Sequence, residues 1–292
     1  MTGMPTWSPG DPEASAYPGA AAGASGVYRN KFGALLPPGQ GSVPDISMQF
    51  NLGHLHVVLE PAAEPSLDKR MATTAKRLKR AGYSCQPPYP AQIAGFTDGR
   101  ARVVTKKKKG RRPAGEPQLQ LYAMAGPYSL VLTLPEAQSG LASSFGPVAI
   151  DPAAPPAIVP IVRMGVPNPS QVAERLILTG RRARLTAIMT RDPVTASSDQ
   201  FATSCLQGIT GQMKDVAVNE GQPDMFLGGQ YCIRHTFVIG GVKAGSAIRS
   251  EHWWAGVVGG YGVQIFVTAT KSIIDLDQAR GLKDTVVLIP TG

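Results

Sequence analysis

Two blocks of this 292-residue chain repeat the same order of patterned segments, and this repeat constrains the fold more than any other feature. Each block begins with two segments around one glycine, Gly53 in the first block and Gly180 in the second. Apolar residues recur at every second position of these segments, which is typical of strands. The repeat predicts two copies of one folding unit, and gene duplication is the economical origin.

A helix pattern follows in both blocks. It opens with Ser-Leu-Asp at 66–68 and with Ser-Ser-Asp at 197–199, and such side chains accept the unpaired N–H groups of a first helical turn. Glycine turns near 95–99 and 225–229 then lead into further strands, and a hairpin completes each block. The order predicts an α+β protein of two repeated domains, each an antiparallel sheet with one main helix packed on one face.

Proline and glycine divide the chain into segments. Of the 26 Pro, 14 lie in residues 1–45 and 146–170, and 8 of the 33 Gly lie in 1–45. We expect 1–45 to be a disordered or extended tail, because it is rich in Pro, Gly and Ala and lacks apolar periodicity. The prolines of 146–170 exclude helix interiors and central strands, so this segment is predicted to be a stiff linker. The two predicted domains are then 46–145 and 171–292.

Composition argues against several enzyme classes. Four His and three Cys are too few and too scattered for common zinc or disulfide frameworks, and we expect Cys85, Cys205 and Cys232 to be reduced thiols. The first 30 residues lack the basic and apolar regions of a secretory signal, so a cytoplasmic location is expected. Residues 252–270 are uncharged, but their glycines and β-branched residues favour a hairpin over a membrane helix.

No catalytic constellation stands out, and the prediction is a protein without enzymatic activity, cofactor or metal. His54, His56 and Glu60 share one strand face and could ligate a metal in principle, but such residues are more often surface positions. Asp275 and Asp277 alternate with apolar residues, which fits an edge or a helix start. An active site built between the two domains stays open, because motifs would not reveal it.

The second block acquires a family resemblance through its motifs. They are a helix opened by S-x-D-x-F at 197–201, a Leu-Gly-Gly turn at 227–229, the Trp253-Trp254 strand and the strand GGYGVQIFVTAT at 259–270. Their order resembles the PsbP-like fold, especially its bacterial DcrB-like branch. The resemblance covers about 174–292 and, through the repeat, 46–145. The first block departs from it with Thr-Asp-Gly at 97–99 and no tryptophan pair.

The resemblance implies a function in binding. Members of this fold are mostly non-enzymatic, and the chain is similar to effector-associated (Eag) chaperones of type VI secretion in lacking a signal. In that group a pair of domains shields apolar helices of a secreted toxin. The expected function is therefore an adaptor or chaperone for an apolar segment of a client such as a secreted effector. The alternative is a structural subunit of a larger assembly, such as a phage or injection-machine particle.

Four aromatic residues are the predicted client surface. Trp253 and Trp254 are adjacent in a strand, so they point to opposite faces and one of them is expected to leave the helix-packed core. Together with Tyr261 and Phe266, an outward indole would form an apolar patch. The competing interpretation is that the two domains pack against each other there.

A run of cations is the second candidate surface. The net charge is 29 − 20 = +9, and the run falls between two strand patterns, where it predicts an exposed hairpin tip. Clustered cations attract nucleic acid, anionic lipid or an acidic protein face, although many such loops serve only solubility. The basic patch consists of Arg100, Arg102, Lys106, Lys107, Lys108, Lys109, Arg111 and Arg112.

Overall fold

The computed structural model describes residues 26–36, 45–108, 113–154, 156–212, 216–239, 249–269 and 273–288. Two short strands come first, β1 (Gly26–Arg29) and β2 (Phe32–Ala34). The first block follows with β3 (Asp45–Leu52), β4 (Leu55–Pro61), α1 (Leu67–Arg80), β5 (Tyr83–Cys85), β6 (Tyr89–Pro90), β7 (Gly99–Lys106), β8 (Gln118–Ala125) and β9 (Tyr128–Pro135). A 3-10 segment (Glu136–Ser144), β10 (Val148–Asp151), β11 (Ile161–Val166) and a 3-10 turn (Pro169–Gln171) lead to the second block.

The second block has the same succession of elements. It comprises β12 (Ala173–Thr179), β13 (Ala183–Met189), α2 (Ser198–Gln212), β14 (Val216–Val218), β15 (Gln222–Met225), β16 (Tyr231–Ile239), β17 (Arg249–Val258) and β18 (Tyr261–Ala269). The described chain ends with α3 (Leu276–Lys283) and β19 (Val286–Leu288). Mostly antiparallel strands with three helices confirm the α+β class.

One antiparallel sheet of 14 strands joins the two blocks. The central pair is β3 and β12, with seven registered residue pairs from Asp45–Thr179 to Asn51–Ala173. Outward from this pair the order is β3-β4-β9-β8-β7-β5 on one side and β12-β13-β18-β17-β16-β14 on the other. The blocks therefore meet edge to edge, which removes two exposed strand edges.

Local signals set the element boundaries. The Ser66 hydroxyl accepts from the backbone N–H of Lys69 (3.4 Å), and Ser197 exchanges hydrogen bonds with Gln200 at the start of α2, as predicted for a helix N-terminus. Gly228 and Gly229 have positive φ in the turn before β16, which favours glycine. The uncharged 252–270 segment forms most of the β17–β18 hairpin, and no described helix could span a membrane.

Both main helices lie on one face of the large sheet. Directly paired residues of antiparallel strands point to the same face, so a row of partners can be followed across the sheet. The row runs through Tyr122, Val131, Val58, Gln49, Arg175, Ile188, Gln264 and Ala255. Tyr122 packs under α1 with Leu67 and Met71, whereas Ala255 packs under α2 with Phe201.

The opposite face of the large sheet is covered. A three-stranded sheet of β1, β11 and β10, together with α3, β2 and β19, packs against it in the main hydrophobic core. Residues 26–34 and 148–166, predicted as part of the tail and of a stiff linker, thus contain strands. The proline content predicted no such strands, but Tyr28, Phe32 and Met164 of these segments are buried apolar residues that hold them against the large sheet.

Candidate protein-binding groove

A groove lies between α1 and α2. Helix α1 packs on β5 and β8, and α2 packs on β16 and β17, so six strands (β9, β4, β3, β12, β13 and β18) separate the two helix-bearing strands β8 and β17. Seven strand spacings of about 4.8 Å give a path of about 34 Å along the sheet. Because α1 reaches β4 through the Arg70–Glu60 ion pair and α2 reaches β18 through Phe201, the sheet face left uncovered between the helices centres on β3, β12 and β13. We call this space the central groove.

Alternation along the central strands defines the groove floor. In β3, β4, β12 and β13 the residues that face the main core are buried, whereas most residues between them are partly or fully exposed. One row of paired residues on the floor is Ser47, Ile177, Thr186 and Phe266. The floor is therefore a mixture of apolar and polar side chains, which suits an amphipathic partner segment.

The floor carries positive charge. Arg175 and Arg184 are exposed, and within the described residues neither guanidinium has a carboxylate partner. His56 is bonded through Nδ1 to the Asn51 side-chain oxygen (2.5 Å), and its pKa is lowered by burial and by the Arg175 charge. Glu60 on the same face forms an ion pair with Arg70 of α1.

The two walls of the groove are anchored differently. Under α1, Arg102 is only 2% exposed and donates to the Tyr122 hydroxyl (2.9 Å) and to the Met71 carbonyl (3.2 Å). Under α2 the corresponding layer is aromatic, with Phe237 and Trp253 fully buried. Both anchors hold the walls in place, the first through polar contacts and the second through apolar packing.

The predicted aromatic client surface is largely buried. Trp253 is 0% exposed and lies under α2, with its Nε1 donating to Gln264 (3.2 Å). Trp254 is also 0% exposed and points to the opposite face, where its Nε1 donates to Asp224 (3.0 Å). The expectation of an outward indole was wrong, because both faces of the sheet are covered at this position.

The remaining two aromatic residues differ in position. Tyr261 is buried in the main core and donates through its hydroxyl to the Ser170 carbonyl (3.3 Å). Phe266 is partly exposed on the groove floor, 6.2 Å from the Trp253 ring centroid. Of the four predicted residues, Phe266 alone reaches the groove.

Arg100, Arg102 and Lys106 of the predicted basic run lie in β7, and Lys107 and Lys108 follow it in the connection to β8. Lys106, Lys107 and Lys108 are exposed, whereas Lys109, Arg111 and Arg112 lie outside the described residues. Arg102 does not belong to an exposed patch, because α1 covers it. Arg100 is half-buried and paired with Asp98, so it is neutralised locally.

The isolated metal and catalytic candidates occupy structural positions. No group of three metal-ligating side chains occurs among the described residues. His54 lies in the β3–β4 turn, away from the pairings of His56 and Glu60. Asp275 caps α3 by accepting from Gln278 (2.8 Å), and Asp277 lies in the first turn of that helix.

Two sets of residues were not predicted from the sequence. The groove residues Arg175 and Arg184 could have been found from the period-two alternation of β12 and β13, since they share the face opposite to the buried leucines. The buried Glu174 accepts hydrogen bonds from the Tyr28 hydroxyl and from the backbone of Lys31 (2.7 Å) and Phe32 (2.9 Å). In the sequence, the inward-facing position of Glu174 in the β12 pattern was the signal for a buried carboxylate.

No protein-family model and no curated protein matches this chain. Among solved structures it is similar to one titled "The crystal structure of Tle4-Tli4 complex" (10% identity, TM-score 0.45, 92% of this chain and 99% of that chain). It is also similar to two structures of the type VI secretion immunity protein TplEi from Pseudomonas aeruginosa. One is the apo form (9%, 0.39, 91% and 98%), and the other is a complex with an "L" peptide (9%, 0.41, 92% and 100%).

All three TM-scores lie below 0.5. The PsbP-like and DcrB-like resemblance stays a prediction from the sequence.

Proposed function

We propose that this chain is a protein-binding adaptor without chemistry of its own, built from a duplicated domain, that holds a segment of a protein partner in the central groove. The observation that carries the proposal is the open sheet face between α1 and α2. The opposite face of the central strands is covered by the main core, whereas on this face most of their residues are partly or fully exposed.

The partner proposed here is a secreted effector with an amphipathic segment. In one row of the floor Ile177, only 7% exposed, and the partly exposed Phe266 flank Thr186, and the next row contains Gln49, Arg175 and the partly exposed Ile188. A segment with apolar side chains over Phe266 and Ile188 and polar ones over Gln49 and Arg175 would bury them without leaving unpaired polar groups. The floor is more polar than the purely apolar surface expected from the sequence.

A wedge in the groove tests the proposal. Thr186→Trp places a large ring on the floor between Ile177 and Phe266, and Ala154→Trp in the loop after β10 is the matched control outside the groove. Tagged wild type and both variants are purified from the native host, and retained proteins are identified by mass spectrometry. We expect one partner with wild type and with Ala154→Trp, and its loss with Thr186→Trp. Equal retention by both variants would refute the groove as the binding site.

The state of the partner distinguishes two forms of this function. A chaperone would release an effector that is active, whereas an immunity protein would keep it inactive until dissociation. Activity of the purified complex, compared with the dissociated effector, separates these outcomes. Retention in a large particle of many subunits would instead favour the structural-subunit alternative.

A further inference from the structure

The two walls of the central groove differ in charge. Helix α2 contains no Lys or Arg between Ser198 and Gln212. Helix α1 contains one acidic residue, Asp68, which lies 3.7 Å from Arg100. Its exposed cations are Lys69, Lys76, Arg77, Lys79 and Arg80. One wall is therefore cationic and the other nearly neutral.

The exposed lysines at the end of β7 extend the cationic wall. The backbone N–H of Lys107 donates to the Gly82 carbonyl (2.9 Å), and Lys106 is paired with Tyr83 in β5. Because Gly82 follows α1 by two residues, these lysines lie beside the last turn of the helix. We call the following residues the cationic end: Lys76, Lys79, Arg80, Lys106, Lys107 and Lys108.

Little acidic charge offsets this surface. In the described part of the β7–β8 connection, Glu116 is the acidic residue. Glu60 lies near Arg77 (3.9 Å) but is already paired with Arg70, on the groove side of α1. Like charges this close repel one another, and an anionic partner relieves the repulsion and accelerates association.

We propose that the cationic end binds an acidic surface of the protein partner that occupies the central groove. This inference rests on the proposed function. It adds the chemistry of the partner and its orientation, with the acidic side against α1 and a neutral side against α2. The lysines of the cationic end lie beside β7 and the edge strand β5, on the far side of β8 from the groove, so the carboxylates that they meet belong to a part of the partner that extends over α1.

A protein partner fits this surface better than a membrane or a nucleic acid. Surface-bound amphipathic helices insert an apolar face into lipid. The apolar side of α1 is not available for this, because Leu67 and Met71 pack against Tyr122 of the large sheet. The large exposed apolar residues of the described chain lie on other elements. The residues of the cationic end include no aromatic side chain on which bases could stack, and Tyr83, which is paired with Lys106, is only partly exposed.

Charge reversal with a defined anionic peptide tests this inference. Binding of a fluorescent oligo-glutamate peptide to the full chain is measured by anisotropy at low and high salt. The two variants are Lys79→Glu/Arg80→Glu, in the last turn of α1, and Lys107→Glu/Lys108→Glu, outside any helix. The matched control is Arg182→Glu/Arg191→Glu, which changes the net charge equally at the ends of β13.

We expect the Kd for oligo-glutamate to rise on the order of tenfold in each cationic-end variant, and to change little in the control. Binding should also weaken as salt rises. An equal loss in the control would overturn the inference, because it would reduce the effect to net charge. Tighter binding of duplex DNA or of phosphatidylglycerol vesicles, lost in the same variants, would reassign the surface.

The outcome is independent of the groove test. If oligo-glutamate binding is insensitive to both cationic-end variants while Thr186→Trp still abolishes partner retention, the inference fails and the proposed function stands. If the variants lose oligo-glutamate binding but Thr186→Trp retains the partner, the groove proposal fails.

Discussion

Replacement of Trp253 by alanine tests the burial seen in the structure, because the sequence predicted that either Trp253 or Trp254 would be exposed. The indole is fully buried under α2, with Phe237 at 6.0 Å, His235 at 5.5 Å and Phe266 at 6.2 Å between ring centroids. Removal of a buried tryptophan creates a cavity that costs about 3–5 kcal/mol of unfolding free energy. Loss of these ring contacts places the cost toward the upper end of that range.

The assay is urea unfolding followed by far-UV circular dichroism, since the substitution itself removes a fluorescent probe. Phe266→Ala is the matched comparison, because this ring is partly exposed on the same face and should cost about 1–2 kcal/mol. A loss below about 1 kcal/mol for Trp253→Ala, with an unchanged denaturant slope, would refute the packing of α2 on this residue.

Three further predictions concern stability. Burial raises the pKa of Glu174 from its ordinary 4.5 to about 7. Its contribution to the free energy of unfolding is therefore full below pH 4.5 and falls by roughly 3 kcal/mol as the pH rises to 7. Urea unfolding across this window should show a flatter pH slope for Glu174→Gln. A Cβ at Gly262 would lie 2.3 Å from the Phe201 ring, and Gly262→Ala should cost about 1–3 kcal/mol in the same assay. Gly208 is exposed within α2 with no neighbouring atom within 4 Å of an added Cβ, so Gly208→Ala should raise the thermal midpoint, by about 0.5–1 kcal/mol in stability.

Local features were predictable from the sequence, and long-range ones were not. The serine caps of both helices and the glycine turns depend on neighbouring residues, and they were predicted close to where they occur. The pairing of β3 with β12 depends on two strand edges that are distant in sequence, so no local pattern announces it. The same limit hid the layer that 26–34 and 148–166 form over the back of the sheet.

The burial of single residues depends on this covering layer, which the sequence did not predict. Trp254 follows the predicted alternation, but it is covered because Asp224 and α3 lie on its side of the sheet. Arg102 resembles its basic neighbours in sequence, yet α1 lies over it and Tyr122 accepts its guanidinium hydrogen bonds. Locating the groove requires knowing which alternate residues of each central strand stay uncovered.

Site-specific photo-crosslinking in the native host tests directly whether a protein partner lies in the central groove. A photoreactive residue at Gln49, on the groove floor, is compared with one at Ala154, outside the groove. We expect a single protein adduct at Gln49 and none at Ala154. Adducts at Ala154 alone, or the same adduct at both positions, would contradict binding of the partner between α1 and α2.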